Sequence, residues 1–430
     1  MHNQLLIYTN TIIKPLKSNK ITIIILFLML VLQHFGSAQH KIDSLEKSKP
    51  AIQIKKEIIK KWYDTFSIRG YMQVRYNRLL ETNPLLKCEQ CDKSIGESGG
   101  FFVRRMRIIF SGNVGERVYI YIQPDFASSA SSTGLHFGQI RDMYMDVALD
   151  EKKEYRLRIG QSKVPFGFEN LQSSQNRMPL DRNDALNSAV SNERDLGVFF
   201  YYAPDKVRKL FTSLVADGLK GSGDYGIFAI GAYNGQTANK PELNNSLHTV
   251  ARISYPIETK GGQIIEPGIQ AYTGKYVLPT DLRSAGIKGS EGFSYLDQRA
   301  AVSLILYPKP FGIIAEYNIG TGPEFNKITK TVESKPLRGG YITASYQLKS
   351  KNHLLIPFAR VQKYEGGKKH ELDARSYRVK ESEIGIEWQP NKNFELVGMY
   401  TISNRRFEDL KSVENSQKGN LMRIQAQLNF

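Results

Sequence analysis

At 430 residues the chain has room for two or three ordinary domains, or for one long all-β barrel. Lysine and arginine outnumber aspartate and glutamate 59 to 42, a formal net charge of +17, and the mean hydropathy is −0.38. One continuous apolar run, 21–32, follows Lys14, Lys17 and Lys20 and precedes Gly36, Ser37 and Ala38. A basic segment, about a dozen apolar residues and small residues before a break read as a secretory signal peptide over 1–38. Cleavage after Ala38 leaves Gln39 at the N-terminus, and no cysteine follows the run to carry a lipid. Export excludes nucleic acid as a natural partner, so the basic excess suits small anions instead. No later apolar run could cross a bilayer as a helix; a membrane-spanning form must therefore be a closed β-barrel.

Residues 39–66 set Ile42, Leu45, Ile52, Ile54, Ile58 and Ile59 among many lysines, and read as a short basic N-terminal extension on the periplasmic side or, equally, as a disordered stretch. From residue 67 the period becomes two. Residues 67–78 place Ile68, Met72, Val74 and Tyr76 against Arg69, Tyr71, Gln73 and Arg75. In 101–110, Arg104, Arg105 and Arg107 cannot all share a face of a regular strand; Arg105 and Arg107 are assigned inward and Arg104 to the rim. Residues 117–127 set Val118, Ile120, Ile122 and Phe126 against Tyr119, Tyr121, Gln123 and Asp125. Met143, Met145, Val147 and Leu149 alternate with Asp142, Tyr144 and Asp146. Between the first two strands lie Cys88 and Cys91, for which a local disulfide in an exported chain is the plain reading.

The stretch 155–202 is the most informative. Tyr155, Leu157 and Ile159 alternate with Arg156, Arg158, Gly160 and Ser162, and Lys163 follows. A polar segment, 164–194, then carries Arg177, Arg182 and Arg194 against Asp181, Asp184 and Glu193, with Asp195 directly after it. It is far longer than an ordinary connection. Such a loop, hung between two alternating strands, is expected to fold inward and narrow a bore. Connections alternate short and long along the chain, as periplasmic turns and external loops of an outer-membrane barrel do. Segment 203–224 breaks the rule and could be an extra hairpin or a folded turn; 323–335 is expected as a long loop. Sixteen strands result, the last being 419–430, ending on Phe430. An aromatic residue in that place resembles the signal read by the barrel-assembly machinery. Tyr201, Tyr202, Tyr255, Tyr307 and Tyr400 fall near strand ends, as in interfacial aromatic girdles.

The polar faces collect Arg69, Arg75, Arg105, Arg107, Arg156, Arg158, Arg252, Arg299, Arg360 and Arg423 on the inward parity, with Asp125, Asp142, Asp146, Asp297, Glu316, Glu381 and Glu383 among them. Many of these arginines are therefore expected in cross-strand ion pairs. Anion pores use rings of arginine or lysine. A guanidinium stays charged and matches phosphate oxygens two at a time. The histidines of the mature chain (His40, His136, His248, His353 and His370) have neither metal-ligand spacing nor a serine partner, so no enzyme and no cofactor are expected.

The run Arg158-Ile159-Gly160-Gln161-Ser162-Lys163-Val164-Pro165-Phe166-Gly167-Phe168-Glu169 resembles the signature block of the phosphate-selective porin O and P family. Arg104-Arg105-x-Arg107 before Ser111-Gly112, then Glu193 to Gly197, Tyr233-Asn234-Gly235 and Arg252 to Pro256 resemble its later blocks in order. The resemblance spans 67–430. It implies a sixteen-stranded, usually trimeric outer-membrane porin whose third external loop folds inward and whose Arg and Lys guide phosphate-like anions. On that basis Lys163 is the first candidate for the eyelet, with Arg177, Arg182 and Arg194 on the inward loop. The alternative kept open is a general or oligosaccharide-diffusion porin, using lumen tyrosines such as Tyr71, Tyr119, Tyr121, Tyr144 and Tyr272.

Overall fold

The computed structural model describes residues 62–88, 99–127, 138–351 and 353–430. The expected leader, 1–38, and all but the end of the 39–66 extension lie outside the described residues. So does Cys91; Cys88 is disulfide-bonded.

Strands alternating apolar and polar residues can bury one face only by closing on themselves or meeting another layer. Here they close. The strands are β1 (Ser67–Leu79), β2 (Phe101–Val114), β3 (Val118–Asp125), β4 (Gln139–Ala148), β5 (Tyr155–Lys163) and β6 (Arg194–Tyr202). Next come β7 (Phe228–Tyr233), β8 (His248–Ser254, continued by Ile257–Glu258), β9 (Ile264–Val277) and β10 (Ser294–Leu306). The last are β11 (Phe311–Asn326), β12 (Thr331–Tyr346, continued by Leu348–Ser350), β13 (His353–Gly367), β14 (Ser376–Asn391), β15 (Phe394–Glu408) and β16 (Ser416–Asn429). Both short continuations pair with the same neighbour as the strand they extend, so the wall has sixteen strands. Every neighbour is antiparallel and next in sequence, and β1 pairs with β16 to close the cylinder. The outward face carries Ile68, Phe110, Met143, Ile159, Val198, Ile253, Val302, Ile342 and Ile384, all exposed. The inward face is polar, the arrangement of a lipid-embedded barrel. No described helix is long and apolar enough to cross a membrane; the strands do so.

Three local features depart from strict alternation or from the expected loops. The pairing of β1 with β2 slips between Gln73 and Val74, which face Arg105 and Val103, so Arg104 is an extra residue. This β-bulge reverses parity. Arg104 therefore turns inward beside Arg105 and is buried, not placed at the rim. Residues 323–335 are not a loop: β11 and β12 stay in register from Phe311 opposite Tyr346 to Asn326 opposite Thr331. Asn326, Thr329 and Thr331 all donate to the Glu333 carboxylate and tighten the turn. Segment 203–224 is a folded turn. Its helix α3 (Asp205–Ala216, after two short helices of the inward segment, α1 Phe168–Leu171 and α2 Asp184–Asn187) buries Val207, Phe211 and Leu214. That spacing puts the three on one helical face.

The closing seam is tight. Gly70 and Phe430 exchange backbone hydrogen bonds of 2.8 and 3.0 Å. A Cβ on Gly70 would strike the carbonyl oxygen of Arg107 and lie 2.7 Å from the Phe430 ring. Gly70→Val is therefore expected to cost at or above the roughly 1–3 kcal/mol of ordinary overpacking, because a backbone oxygen cannot move aside. The check is the heat-modifiable gel shift of the assembled barrel, which the variant should lose at a lower temperature than the parent.

Candidate functional site

Segment 164–193 leaves β5 and returns to β6 through the interior, and nearly all of its residues are buried. Its folding follows from what the wall offers. The backbone N–H groups of Phe168 and Glu169, open at the start of α1, donate to Glu316 on β11 at 2.6 and 3.0 Å. Arg299 on β10 donates to the carbonyls of Ala185 and Ser188, at 3.1 Å each, and to the Ser188 hydroxyl at 2.8 Å. Arg360 on β13 holds Glu169 at 3.0 Å and also pairs with Glu383. Asp184 takes Arg405 at 2.8 Å and Lys368 at 2.5 Å. Asp181 collects three guanidiniums: Arg423 at 2.7 Å, Arg75 at 2.8 Å and Arg104 at 3.5 Å. The segment thus crosses from β5 and β6 to β10–β16 and β1 and fills that side of the bore.

The side it leaves open is the wall of β2–β5. An outer cavity of about 340 Å³ lies toward the long loops. Arg104, Arg105, Arg141, Arg182, Lys368 and Arg375 line it against three carboxylates, Asp125, Glu193 and Glu371. A second cavity of about 350 Å³ opens beside α3 at the short-turn end, bounded by Arg117, Tyr144, Asp146, Arg156, Arg158 and Arg208. Between these levels the wall presents Arg107, 2.8 Å from Asp125, and Arg194, 3.0 Å from Asp142. Lower down the Tyr121 and Tyr144 rings stack at 5.1 Å, and Arg158 lies 3.9 Å over Tyr144 while pairing with Asp146 at 2.7 Å.

The candidate residues fall into two groups. Arg75, Arg107, Arg156, Arg158, Arg182, Arg194, Arg360 and Arg423 each have a carboxylate within ion-pair distance; Arg156 reaches Asp224 at 2.7 Å and Arg182 reaches Glu193 at 3.0 Å. Lys163 instead donates to the carbonyls of Leu171 and Gln172 at 2.7 and 2.8 Å, tying down the inward segment. Arg299 caps α2 as described. Arg69 is exposed at the short-turn mouth, 2.9 Å from the Ser111 hydroxyl. Among the described residues Arg105 donates to the amide oxygen of Gln73 alone, at 2.8 Å, and Arg177 to the carbonyl of Leu180 alone, at 3.4 Å. Burial, and next the Arg182 charge, lower the Arg177 guanidinium to about 9, which leaves it cationic at neutral pH.

Arg104 and Arg141 are cavity residues that strict alternation does not place there. The β3–β4 pairing slips between Gln123 and Pro124, which face Asp142 and Ile140, so Arg141 is a second bulge residue and turns inward next to Asp142. Each bulge adds one guanidinium to the outer cavity. Proline at position 124 is the one sequence signal available, since it interrupts a ladder. Among the described residues no group of His, Cys, Asp and Glu gathers as a metal site would require.

Asp181 is the strongest single anchor of the inward segment. Burial opposes its charge, yet Arg75, Arg104 and Arg423 outweigh burial and hold the carboxyl well below the usual range. A depressed carboxyl stabilises the docked segment fully above the ordinary aspartate value of about 4 and loses that effect as pH falls below it. Single-channel conductance should therefore be constant from pH 8 to 5 and rise only in more acidic solution. Asp181→Asn removes the shared charge and leaves the buried Arg75 guanidinium without a carboxylate among the described residues, a loss of roughly 3–5 kcal/mol. Its channels should be larger and noisier at pH 7, as read in planar bilayers.

The family model for "Phosphate-selective porin O and P" matches residues 87–430. No curated protein matches the chain in sequence. The outer membrane channel DcaP of Acinetobacter baumannii is similar in structure, with a TM-score of 0.53 at 14% identity over 85% of this chain and 97% of that one. OmpF of Salmonella typhi, solved with daunomycin, gives 0.52 at 12% identity over the same shares of the two chains. At such identities these likenesses concern the fold alone. With the family model covering most of the chain, the closed sixteen-stranded wall and the inward segment belong to a member of the phosphate-selective porin O and P family, a passive channel of the Gram-negative outer membrane.

Proposed function

We propose that the channel passes small anions of the phosphate class, and that they travel along the β2–β6 wall from the outer cavity to the cavity beside α3. The observation that carries this is the makeup of the outer cavity: six cationic side chains against three carboxylates. Among the described residues Arg105 has no carboxylate within ion-pair distance, and neither has Arg177. In a narrow bore such unbalanced charge concentrates counter-ions. Below it, Arg107, Arg194 and Arg158 are each paired with an aspartate, so an anion meets weak sites in series rather than one deep well. Conduction needs that weakness, because the ion must also leave. Lys163 serves the path indirectly, by fixing the inward segment that sets its width. The reading extends to a homotrimer facing lipid on its apolar side, assembled through the C-terminal strand that ends at Phe430; cross-linking of the intact membrane tests the trimer.

A second reading, passage of neutral sugars, is favoured by the stacked Tyr121–Tyr144 pair on the same wall, since sugar channels use aromatic tracks. Liposome swelling separates the two. An anion channel passes neutral sugars slowly, and phosphate blocks its chloride current.

Reversal potentials in a chloride gradient should show anion preference. Arg105→Gln and Arg177→Gln together should lower the anion-to-cation permeability ratio by roughly twofold or more; cation preference in the parent protein would overturn the proposal. The preference should be flat from pH 6 to 8. Burial raises the Glu193 carboxyl, but Arg182 and Arg194 outweigh it and hold it well below the usual range. Burial opposes the Lys368 charge, but Asp184 raises it overall. Burial, then Lys369, hold the His370 imidazole well below its ordinary value and so neutral across that window. A pH-dependent ratio in that range would place the selective charge elsewhere.

A further inference from the structure

The outer wall carries a charge row that lumen conduction does not use. At one level of the barrel Lys363 is the register partner of Lys380, Lys380 of Asn404, and Asn404 of Lys418. Their parity is outward, and all three lysines are exposed. Like charges in directly opposed positions weaken a sheet, and cations on a lipid-facing wall become costly toward the bilayer midplane. None of the three takes part in an ion pair among the described residues. The outward carboxylate one step nearer the loops, Glu365, is already taken by Arg378 at 2.6 Å and Arg338 at 3.4 Å. Toward the short-turn end the same strands turn out Val361, Ser382, Ile402 and Asn420, then Ala359, Ile384, Tyr400 and Met422. The row therefore sits where the apolar wall ends, on the side of the long loops, at the level of the outer-leaflet headgroups. A shallow groove of about 340 Å³ runs there, with Lys380, Lys418, Asn404 and Asn420 on its polar side and Ile402 and Val361 toward the membrane.

We propose that this groove, with Lys363 beside it, binds a phosphate-bearing glycolipid of the outer leaflet, its phosphates on Lys363, Lys380 and Lys418 and its acyl chains along the apolar wall below. Charge complementarity selects the occupant. Lys363 beside Lys380, with Lys418 one strand beyond Asn404, gives three ammonium groups in four consecutive register positions, without an ion pair among the described residues, and an anion answers them; Asn404 and Asn420 supply polar contacts for the sugar beside it. A second copy of the chain docked through the same β13–β16 face would bring no outward carboxylate at this level, so that pairing is a poor match.

The test uses the full mature protein, assembled in the outer membrane, extracted in mild detergent and stripped of lipid. Bisphosphorylated lipid A and its dephosphorylated form are each added, and retained lipid is counted by native mass spectrometry. The triple variant K363Q/K380Q/K418Q should retain roughly tenfold less lipid A than the parent, or lower still, given what each basic residue contributes near an anionic surface. Dephosphorylated lipid A should bind the parent as weakly as lipid A binds the variant. K349Q/K351Q, whose lysines are exposed at the short-turn end, should match the parent. Conductance and the heat-modifiable gel shift should be unchanged in every variant, because the row faces away from the bore. The single substitutions, each lowering retention severalfold, replace the triple if it does not assemble. Undiminished retention by the lysine variants, or equal binding of dephosphorylated lipid A, overturns the proposal. So does loss of the oligomer with lipid retention intact, which would make the row a subunit contact.

Discussion

Everything inside this barrel depends on how buried guanidiniums are satisfied. A bore lined with arginine on facing strands does not fold if it is dry and uncompensated, since each unpaired buried charge costs several kcal/mol. The inward segment resolves this by bringing acceptors to the wall. Asp181, Asp184 and Glu169 supply carboxylates to Arg75, Arg423, Arg405 and Arg360, while Leu180, Ala185 and Ser188 supply backbone oxygens. The wall returns the service at Glu316, which receives the open N–H groups of α1. Segment and wall are thus one electrostatic unit. The constriction is not a loop that happens to lie inside a finished cylinder; without it Arg75 loses its carboxylate among the described residues, and Arg360, Arg405 and Arg423 keep only Glu383 and Glu381 of the wall.

That reciprocity also decides where a solute can go. Because the segment crosses toward β10–β16, the interior there is closed by protein, and the two cavities lie along β2–β5. On that wall the pairing is less complete. Arg105 has an amide oxygen in place of a carboxylate, and Arg141 shares Asp125 with Arg107, at 3.6 against 2.8 Å. Asymmetric pairing, more than the number of arginines, produces a positive track. An arginine count taken from the sequence would give the whole lumen the same character, whereas the structure divides it into a neutralised structural side and an under-neutralised open side.

Much of the architecture was readable because a barrel strand carries its address in its own alternation. Each strand of the wall overlaps a segment where apolar and polar residues exchange every second position. The inward segment announced itself by length and by its mixture of Arg and Asp. What could not be read is what alternation does not encode. Parity holds only while two strands advance together, and one inserted residue inverts it. Arg104 and Arg141 stand at two such insertions, so a rule that works for Arg105 and Arg107 misplaces the first and passes over the second. The partners of each arginine were equally hidden. Arg75 and Asp181 lie 106 positions apart, a distance along the chain with no local signal. Lys163 shows the same limit: its place beside the inward segment followed from the motif, but its bonds to two carbonyls depend on where that segment bends. The α3 turn was ambiguous for another reason, since Leu210, Phe211, Leu214 and Val215 suit either a short hairpin or one face of a helix.

The outward lysines complete the same logic from the other side of the wall. Within the barrel, among the described residues, Lys163 and Arg299 have backbone carbonyls of the inward segment in place of a carboxylate, whereas Arg105 has a single amide oxygen and lines the outer cavity. Outside it, three lysines without a carboxylate occupy neighbouring positions on β13–β16, in a row that like charge alone would not hold together. A strand has two faces and one backbone, so Lys380 points to the membrane while its neighbours Val379 and Glu381 are buried within. In both compartments, positive charge that the chain satisfies with neither a carboxylate nor backbone carbonyls is stable only where water or an anion that is not part of the chain can reach it. Inside, that anion must be mobile for the channel to conduct; outside, it can be tethered by its acyl chains and remain. One local rule, that a cation with neither a carboxylate nor a set of backbone carbonyls persists only in contact with water or an external anion, therefore underlies both the proposed transport path on one face of the sheet and the proposed lipid seat on the other.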